Sequence, residues 1–225
     1  MDPSPKSPPA DAGTPETPRR RAVDPYAHAP RVPSEGALTV DTLVPGAGPV
    51  MLEIGPGRGR FAVTYCVQNP SWRLLGFEIR RKHATLLDDK LRAKKHAARC
   101  FAEDARAVLD RVGPDGSVDA VAVHFPDPWW KKKHAKRLVV ADALVAQLAR
   151  LVRPGGVVLV QTDVPDRAHE YAARFGAAGS GFVLREPEKP PLEVESPFAP
   201  ARSNREARAI EDGLPVYRLV YLRAE

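Results

Sequence analysis

Acidic side chains close three successive apolar runs of this sequence. They are Glu53 in Glu53-Ile54-Gly55-Pro56-Gly57-Arg58-Gly59, Glu78 at the end of the second run, and Asp104 in Glu103-Asp104-Ala105. Beside the first, glycines at alternate positions, Gly55 and Gly57 among them, remove Cβ atoms where a ligand must approach the backbone. The spacing is G-x-G-x-G, whereas the dinucleotide fingerprint is G-x-G-x-x-G with a pyrophosphate on the helix N-terminus. An acid two residues ahead of the first glycine is awkward beside a pyrophosphate. It suits a cofactor that presents an ammonium group, such as the methionyl moiety of S-adenosylmethionine. Glu78 stands where a carboxylate accepts both hydroxyls of an adenosine ribose, a feature that serves NAD and S-adenosylmethionine alike. Asp104 is placed to meet an adenine amino group. Any one of these acids alone reads equally as a helix N-cap; three in succession favour a ligand.

A fourth run leads into the densest chemistry of the chain, His124-Phe125-Pro126-Asp127-Pro128-Trp129-Trp130-Lys131-Lys132-Lys133-His134-Ala135-Lys136-Arg137. The two prolines fix φ on either side of Asp127 and bias Phe125 and Asp127 away from helix, so the carboxylate is expected in a rigid extended loop. The adjacent tryptophans offer stacking faces and the bases offer phosphate contacts, a combination suited to a splayed base in RNA.

These residues need a frame to bring them together. Short β-type runs occur at 50–54, 73–79, 99–103, 118–125, 156–163, 181–186 and 216–223, with helix-period stretches at 61–68, 82–97, 137–152 and 166–177. This alternation predicts an α/β fold with a mostly parallel seven-stranded sheet and helices on both faces. Ligands in such sheets sit at the carboxyl ends of the strands, where the acids fall. Residues 1–33 hold nine of the 24 prolines and almost no large apolar side chain, and are expected to be a disordered tail; residues 34–225 are expected to form one domain.

Charge and composition narrow the function. The net charge is +6, from 34 Lys and Arg against 28 Asp and Glu, and the excess is local. Residues 80–99 carry eight bases and two acids, residues 131–137 five bases and no acid, so the rest of the chain is net acidic. Localised basic stretches suggest an anionic partner such as RNA. Two separated cysteines exclude a disulfide framework or a cysteine metal site and suit a reducing cytoplasm. No metal is expected. No apolar run reaches the ~18 residues of a membrane span, and the proline- and acid-bearing N-terminus does not read as a secretory signal.

With these segments in place, the chain resembles the bacterial tRNA (guanine-N7)-methyltransferases over roughly residues 50–223. FPDPWWKKKHAKRL is similar to the family's Phe-Pro-Asp-Pro-Trp signature, and LEIGPGRGRF, GFEIRRK, EDA, QTD at 161–163 and SNREARAIEDGLPVYRLVY follow the family order. The resemblance implies a Rossmann-like class I methyltransferase fold with S-adenosyl-L-methionine as cofactor. It implies tRNA as partner, modified at a guanosine expected at variable-loop position 46, and a monomer or homodimer in the cytoplasm. It assigns the cofactor to Glu53, Glu78, Asp104 and Asp127 with the Gly55–Gly57 turn, and catalysis to Asp127. It assigns the RNA substrate to Lys131, Asp163 and a Thr-x-x-Glu motif, here Ser203, Asn204, Arg205 and Glu206. Ser203 replaces the usual Thr, and Arg205 stands where an aromatic residue is frequent. Guanine N7 has a lone pair and no proton, so Asp127 is expected to orient and stabilise charge without taking a proton, while Asp163 or Glu206 reads the N1 and N2 edge. Two other readings are an NAD-dependent oxidoreductase, disfavoured by the glycine spacing and the lack of a Tyr-x-x-x-Lys pair, and a non-catalytic RNA-binding module, disfavoured by the intact acids.

Overall fold

The computed structural model describes residues 24–126 and 138–225. Every apolar run expected to be a strand lies in one seven-stranded sheet. The strands are β2 (Val50–Ile54), β3 (Arg73–Phe77), β4 (Ala98–Phe101), β6 (Val118–His124), β7 (Val152–Thr162), β8 (Phe182–Leu184) and β9 (Tyr217–Arg223). Their order is β4-β3-β2-β6-β7-β9-β8. The first five run parallel; β9 is antiparallel to both β7 and β8. Two short elements outside the expected set, β1 (Leu38–Thr39) and β5 (Val112–Gly113), pair parallel as a separate ribbon.

Side-chain alternation along β2 divides the core. Val50, Leu52 and Ile54 join Leu144, Leu148 and Leu151 of α5 (Asp142–Leu151) and Tyr171 and Phe175 of α6 (Pro165–Phe175). Met51, on the opposite face, joins Phe61, Ala62 and Tyr65 of α2 (Arg60–Gln68) and Leu87 and Leu91 of α3 (Arg81–Ala93). Both faces of the sheet are thus covered, as the near-continuous apolar strands require. The strand ends of β2, β3, β6 and β7 emerge on one rim, where a parallel α/β sheet binds its ligands.

Three boundaries differ from expectation. Strand β7 begins at Val152, because Val152 pairs with Val118 before a register shift that accommodates Arg153-Pro154-Gly155-Gly156. Helix α5 begins at Asp142, after a turn in which Val140 is buried in the core. Within the stretch 1–33 expected to be a tail, residues 29–32 are packed: Ala29 and Val32 are buried, Pro30 O accepts the N–H of Ala102 at 2.7 Å, and the backbone N–H of Val32 and the guanidinium of Arg31 both donate to Glu103. Main-chain pairing holds this segment where composition offers little. The rest of the expected tail, residues 1–23, lies outside the described residues.

Candidate active site at the strand ends

The glycine turn runs from β2 into α2 with left-handed backbone at Gly57 (φ +58°) and Gly59 (φ +76°), conformations that carry little penalty only without a Cβ. The two glycines answer to different constraints. A Cβ at Gly59 would lie 2.2 Å from Cδ1 of Leu87, so the packing of α2 on α3 requires glycine there; a Cβ at Gly57 would meet nothing within 4 Å. Gly57 is therefore the open position, where a ligand can reach the backbone.

Glu78 ties this turn to the end of β3. Its carboxylate accepts the N–H of Gly57 and the N–H of Arg80, each at 2.9 Å. A carboxylate has about four acceptor sites, so capacity remains for the two hydroxyls of a ribose. Glu78 lines a cleft of about 380 Å³ together with Gly55, Ile79 and Asp104. Ile79 is 65% exposed at this cleft, a large apolar side chain of the kind that covers a purine face. Asp104 caps α4 (Ala105–Val108) by accepting the N–H of Arg106, and the Arg106 guanidinium bonds both its oxygens. Hydrogen bonding from Arg106 holds its carboxyl below the usual range, so an adenine amino group has to share Asp104 with that arginine. The open glycine, the half-used Glu78 and the exposed Ile79 fit the adenosine half of S-adenosylmethionine.

Glu53 is the acid expected to face an ammonium group. It is 0% exposed, on the sheet face beneath α2, and neither carboxyl oxygen has a hydrogen-bond partner. Burial, with Glu78 nearby, pushes its carboxyl well above the usual range. The strand position that puts an acid next to the turn also turns its side chain into the core. Nε2 of His124 is 3.4 Å from Oε1 of Glu53, and Nδ1 of His124 is 2.8 Å from Oε1 of Gln161.

On the other side of the rim, Asp163 follows β7 and pairs with Arg205. Ser203 is the N-cap of α7 (Asn204–Glu211) and accepts the N–H of Glu206 at 3.1 Å. Asn204 Oδ1 accepts the N–H of Arg60 at 3.3 Å, which joins the starts of α7 and α2. Glu206 is buried and bonded to Arg218 of β9. Of the six residues assigned to RNA, Asp163, Ser203, Asn204, Arg205 and Glu206 lie together here, yet Ser203 and Glu206 are occupied within the fold. Arg218, His124 and Gln161 lie in the quoted motifs but received no role from the sequence; the Ser203-x-x-Glu206 spacing is itself a helix-start signature that announces α7.

Phe125 has φ +43°, in the left-handed region, where an extended conformation was expected; its N–H is held by Gln161 O at 3.0 Å. A non-glycine residue there stores strain immediately before Pro126. Asp127 and Lys131, with both tryptophans of the motif, lie outside the described residues. Among the described residues no cluster of His, Cys, Asp and Glu is arranged to hold a metal.

A mostly parallel sheet with a reversed final hairpin, a glycine turn after its central strand and a ribose-type acid on the next define the class, a Rossmann-like class I methyltransferase; residues 47–219 match the family model described as a putative methyltransferase. The tRNA (guanine-N(7)-)-methyltransferase of Myxococcus xanthus (strain DK1622) is 37% identical over 178 residues, covering 79% of this chain and 84% of that protein. Its counterpart from Anaeromyxobacter dehalogenans (strain 2CP-C) is 38% identical over 186 residues, covering 79% and 87%. The chain belongs to the tRNA (guanine-N7)-methyltransferase family. The crystal structure of the 16S rRNA methyltransferase KamB shares the fold, with a TM-score of 0.57 at 20% identity over 82% of this chain and 92% of that one.

Proposed function

We propose that this chain transfers the methyl group of S-adenosylmethionine to N7 of a guanosine in tRNA. The observation that carries the reading is the coupling of Glu78 to the open backbone of Gly57, beside the exposed Ile79, in a chain of this family. The cofactor supplies an electrophilic sulfonium methyl. Guanine N7 attacks with a lone pair and has no proton to lose, so the protein contributes positioning. Asp127 follows the strained Phe125-Pro126 and orients the base, its charge favouring the cationic product without accepting a proton. Asp163 reads the N1 and N2 edge of guanine once Arg205, half exposed, turns to the RNA. Glu206, already bonded to Arg218, supports this edge through the helix it starts.

Lys131 and the bases that follow it contact phosphate. The reaction takes place in the cytoplasm, on a monomer or homodimer; no helix among the described residues is long and apolar enough to cross a membrane. Incubation with labelled S-adenosylmethionine and unmodified tRNA, followed by aniline-sensitive strand scission, is expected to reveal N7-methylguanosine. Absence of product at saturating cofactor refutes the reading. Titration with NAD in place of S-adenosylhomocysteine is expected to give no heat.

A further inference from the structure

Most arginines among the described residues are committed to a carboxylate or a main-chain carbonyl. Arg99 pairs with Asp88, Arg153 with Asp119, and Arg223 donates to Ala149 O. Five make no side-chain bond to a described residue: Arg58, Arg60, Arg80, Arg92 and Arg202, all of them exposed.

Three of the five share one stretch of the rim. Arg58 sits in the glycine turn, which the N–H of Gly59 closes on Pro56 O at 2.9 Å, and Arg60 is the first residue of α2. The N–H of Arg60 donates to Asn204 Oδ1, which holds the approach to α7, with Arg202 on it, against the start of α2. The core repeats that contact, since Ala201 packs in the same cluster as Phe61. Arg60 stands between the buried Gly59 and Phe61, and Arg202 between the buried Ala201 and Ser203, so each cation projects outward from an anchored backbone. The other two lie apart. Arg80 adjoins the cofactor cleft through Ile79, and Arg92 is near the far end of α3, about 17 Å along the helix from its start.

A single exposed cation means little, because surface ion pairs are worth under about 1 kcal/mol. Three in one place repel one another and sum to a local positive potential. Asp163, the acid at the end of β7, is already taken by Arg205, and neither it nor any other described carboxylate pairs with the three. The guanidinium fork matches the oxygens of a phosphate.

We propose that Arg58, Arg60 and Arg202 form a phosphate-binding surface for tRNA, separate from the basic stretch at 131–137. That stretch leads into α5, which packs on the opposite face of the sheet from α2. RNA held by both is fixed from two sides of the strand ends, and phosphate contacts of this kind set its register over the site. The identity of the polyanion rests on the proposed function; the uncommitted arginines do not.

Filter binding of an unmodified tRNA transcript to the full chain across a salt series tests the surface. Arg58→Ala, Arg60→Ala and Arg202→Ala are each expected to reduce the salt slope by roughly 0.7 to 0.9, and the triple variant by about two or more. Arg92→Ala, which removes an equally exposed and uncommitted arginine away from the rim, is expected to leave the slope unchanged. Adding Lys131→Ala to the triple variant is expected to reduce the slope by a further step, because separated contacts add. A wild-type slope in the triple variant overturns the proposal. An equal effect of Arg92→Ala overturns it too, since net charge alone then accounts for the losses. Calorimetry with S-adenosylhomocysteine is expected to show unchanged affinity in the triple variant. A loss of roughly tenfold there, with the slope intact, assigns the arginines to the cofactor carboxylate and overturns the surface. A wild type that binds tRNA with these slopes but forms no N7-methylguanosine strikes the proposed function and leaves the surface standing; one that binds no tRNA overturns both.

Discussion

Glu206 at the start of α7 and Arg218 on β9 form an ion pair at 2.9 Å in which the carboxylate side chain is 2% exposed and the guanidinium 15%. Removing one partner strands the other in a desolvated position. Glu206→Ala is expected to lower stability to urea by about 3 kcal/mol, and the joint replacement of Glu206 and Arg218 by methionine to recover most of that loss. Had Glu206 served chiefly to read guanine, its removal would raise the KM for tRNA and leave the urea midpoint in place.

The glycines of the turn should separate stability from binding. Gly59→Ala combines a left-handed Cβ with overlap on Leu87 and is expected to cost about 3 kcal/mol in urea unfolding. Gly57→Ala carries only the backbone penalty of about 1 kcal/mol. Its methyl enters the open side of the turn, so calorimetry should show S-adenosylhomocysteine affinity falling by roughly tenfold or more.

Glu78 accepts two backbone N–H groups and lines the cleft. In Glu78→Gln the amide turns a donor toward one of those N–H groups. The expected result is a loss of S-adenosylhomocysteine affinity of about ten- to a hundredfold by calorimetry, because hydrogen bonds to a charged group are worth roughly twice those to a neutral one.

His124 and Glu53 give stability opposite dependences on pH. Burial holds the imidazole at about 4 against its ordinary 6.5, so the folded chain favours the neutral ring. That contribution is intact above 6.5 and is lost as pH falls toward about 4, on the order of 3 kcal/mol in all. The raised carboxyl of Glu53 works the other way: its contribution is complete below its ordinary 4.5 and is lost as pH rises through the folded value. The two slopes oppose each other between 4.5 and 6.5. Urea midpoints across that window are expected to rise with pH in Glu53→Gln and to fall with pH in His124→Phe, with the wild type flatter than either.

Lys131→Ala is expected to weaken tRNA binding and reduce its salt slope by somewhat under one, while affinity for S-adenosylhomocysteine is unchanged. Filter binding across a salt series checks this. Equal losses of both affinities would make the basic stretch a support for the fold.

The sheet was legible because its strands are apolar runs long enough to declare themselves, and the acids proposed for the site could be singled out because they stand where such strands stop. What escaped was decided by partners far away in the chain. Helix α7 buries little beyond Ala207 and Ala209, so its apolar face is faint, and the Ser203 cap was readable only as part of a motif. The burial of Glu53 follows from α2 lying over β2, which alternation within five residues does not disclose. Phe125 adopts a left-handed backbone because Gln161 O holds its N–H, a constraint imposed from the neighbouring strand. Residues 29–32 pack because Pro30 and Val32 find backbone and carboxylate partners near Glu103, although their composition matches the segment before them.

That last contact has a consequence for how the chain folds. Arg31 and Glu103 are separated by 72 residues, and Glu103 lies beside Asp104 in the wall of the cofactor cleft. A contact of such span carries a large loop-closure cost and forms late relative to the local βα units. The segment around Arg31 therefore waits for β2, β3 and β4 to be made and paired before it can dock. The adenosine side of the cleft acquires its final shape only at that step, so a chain interrupted before Glu103 has the glycine turn and Glu78 without the wall opposite them.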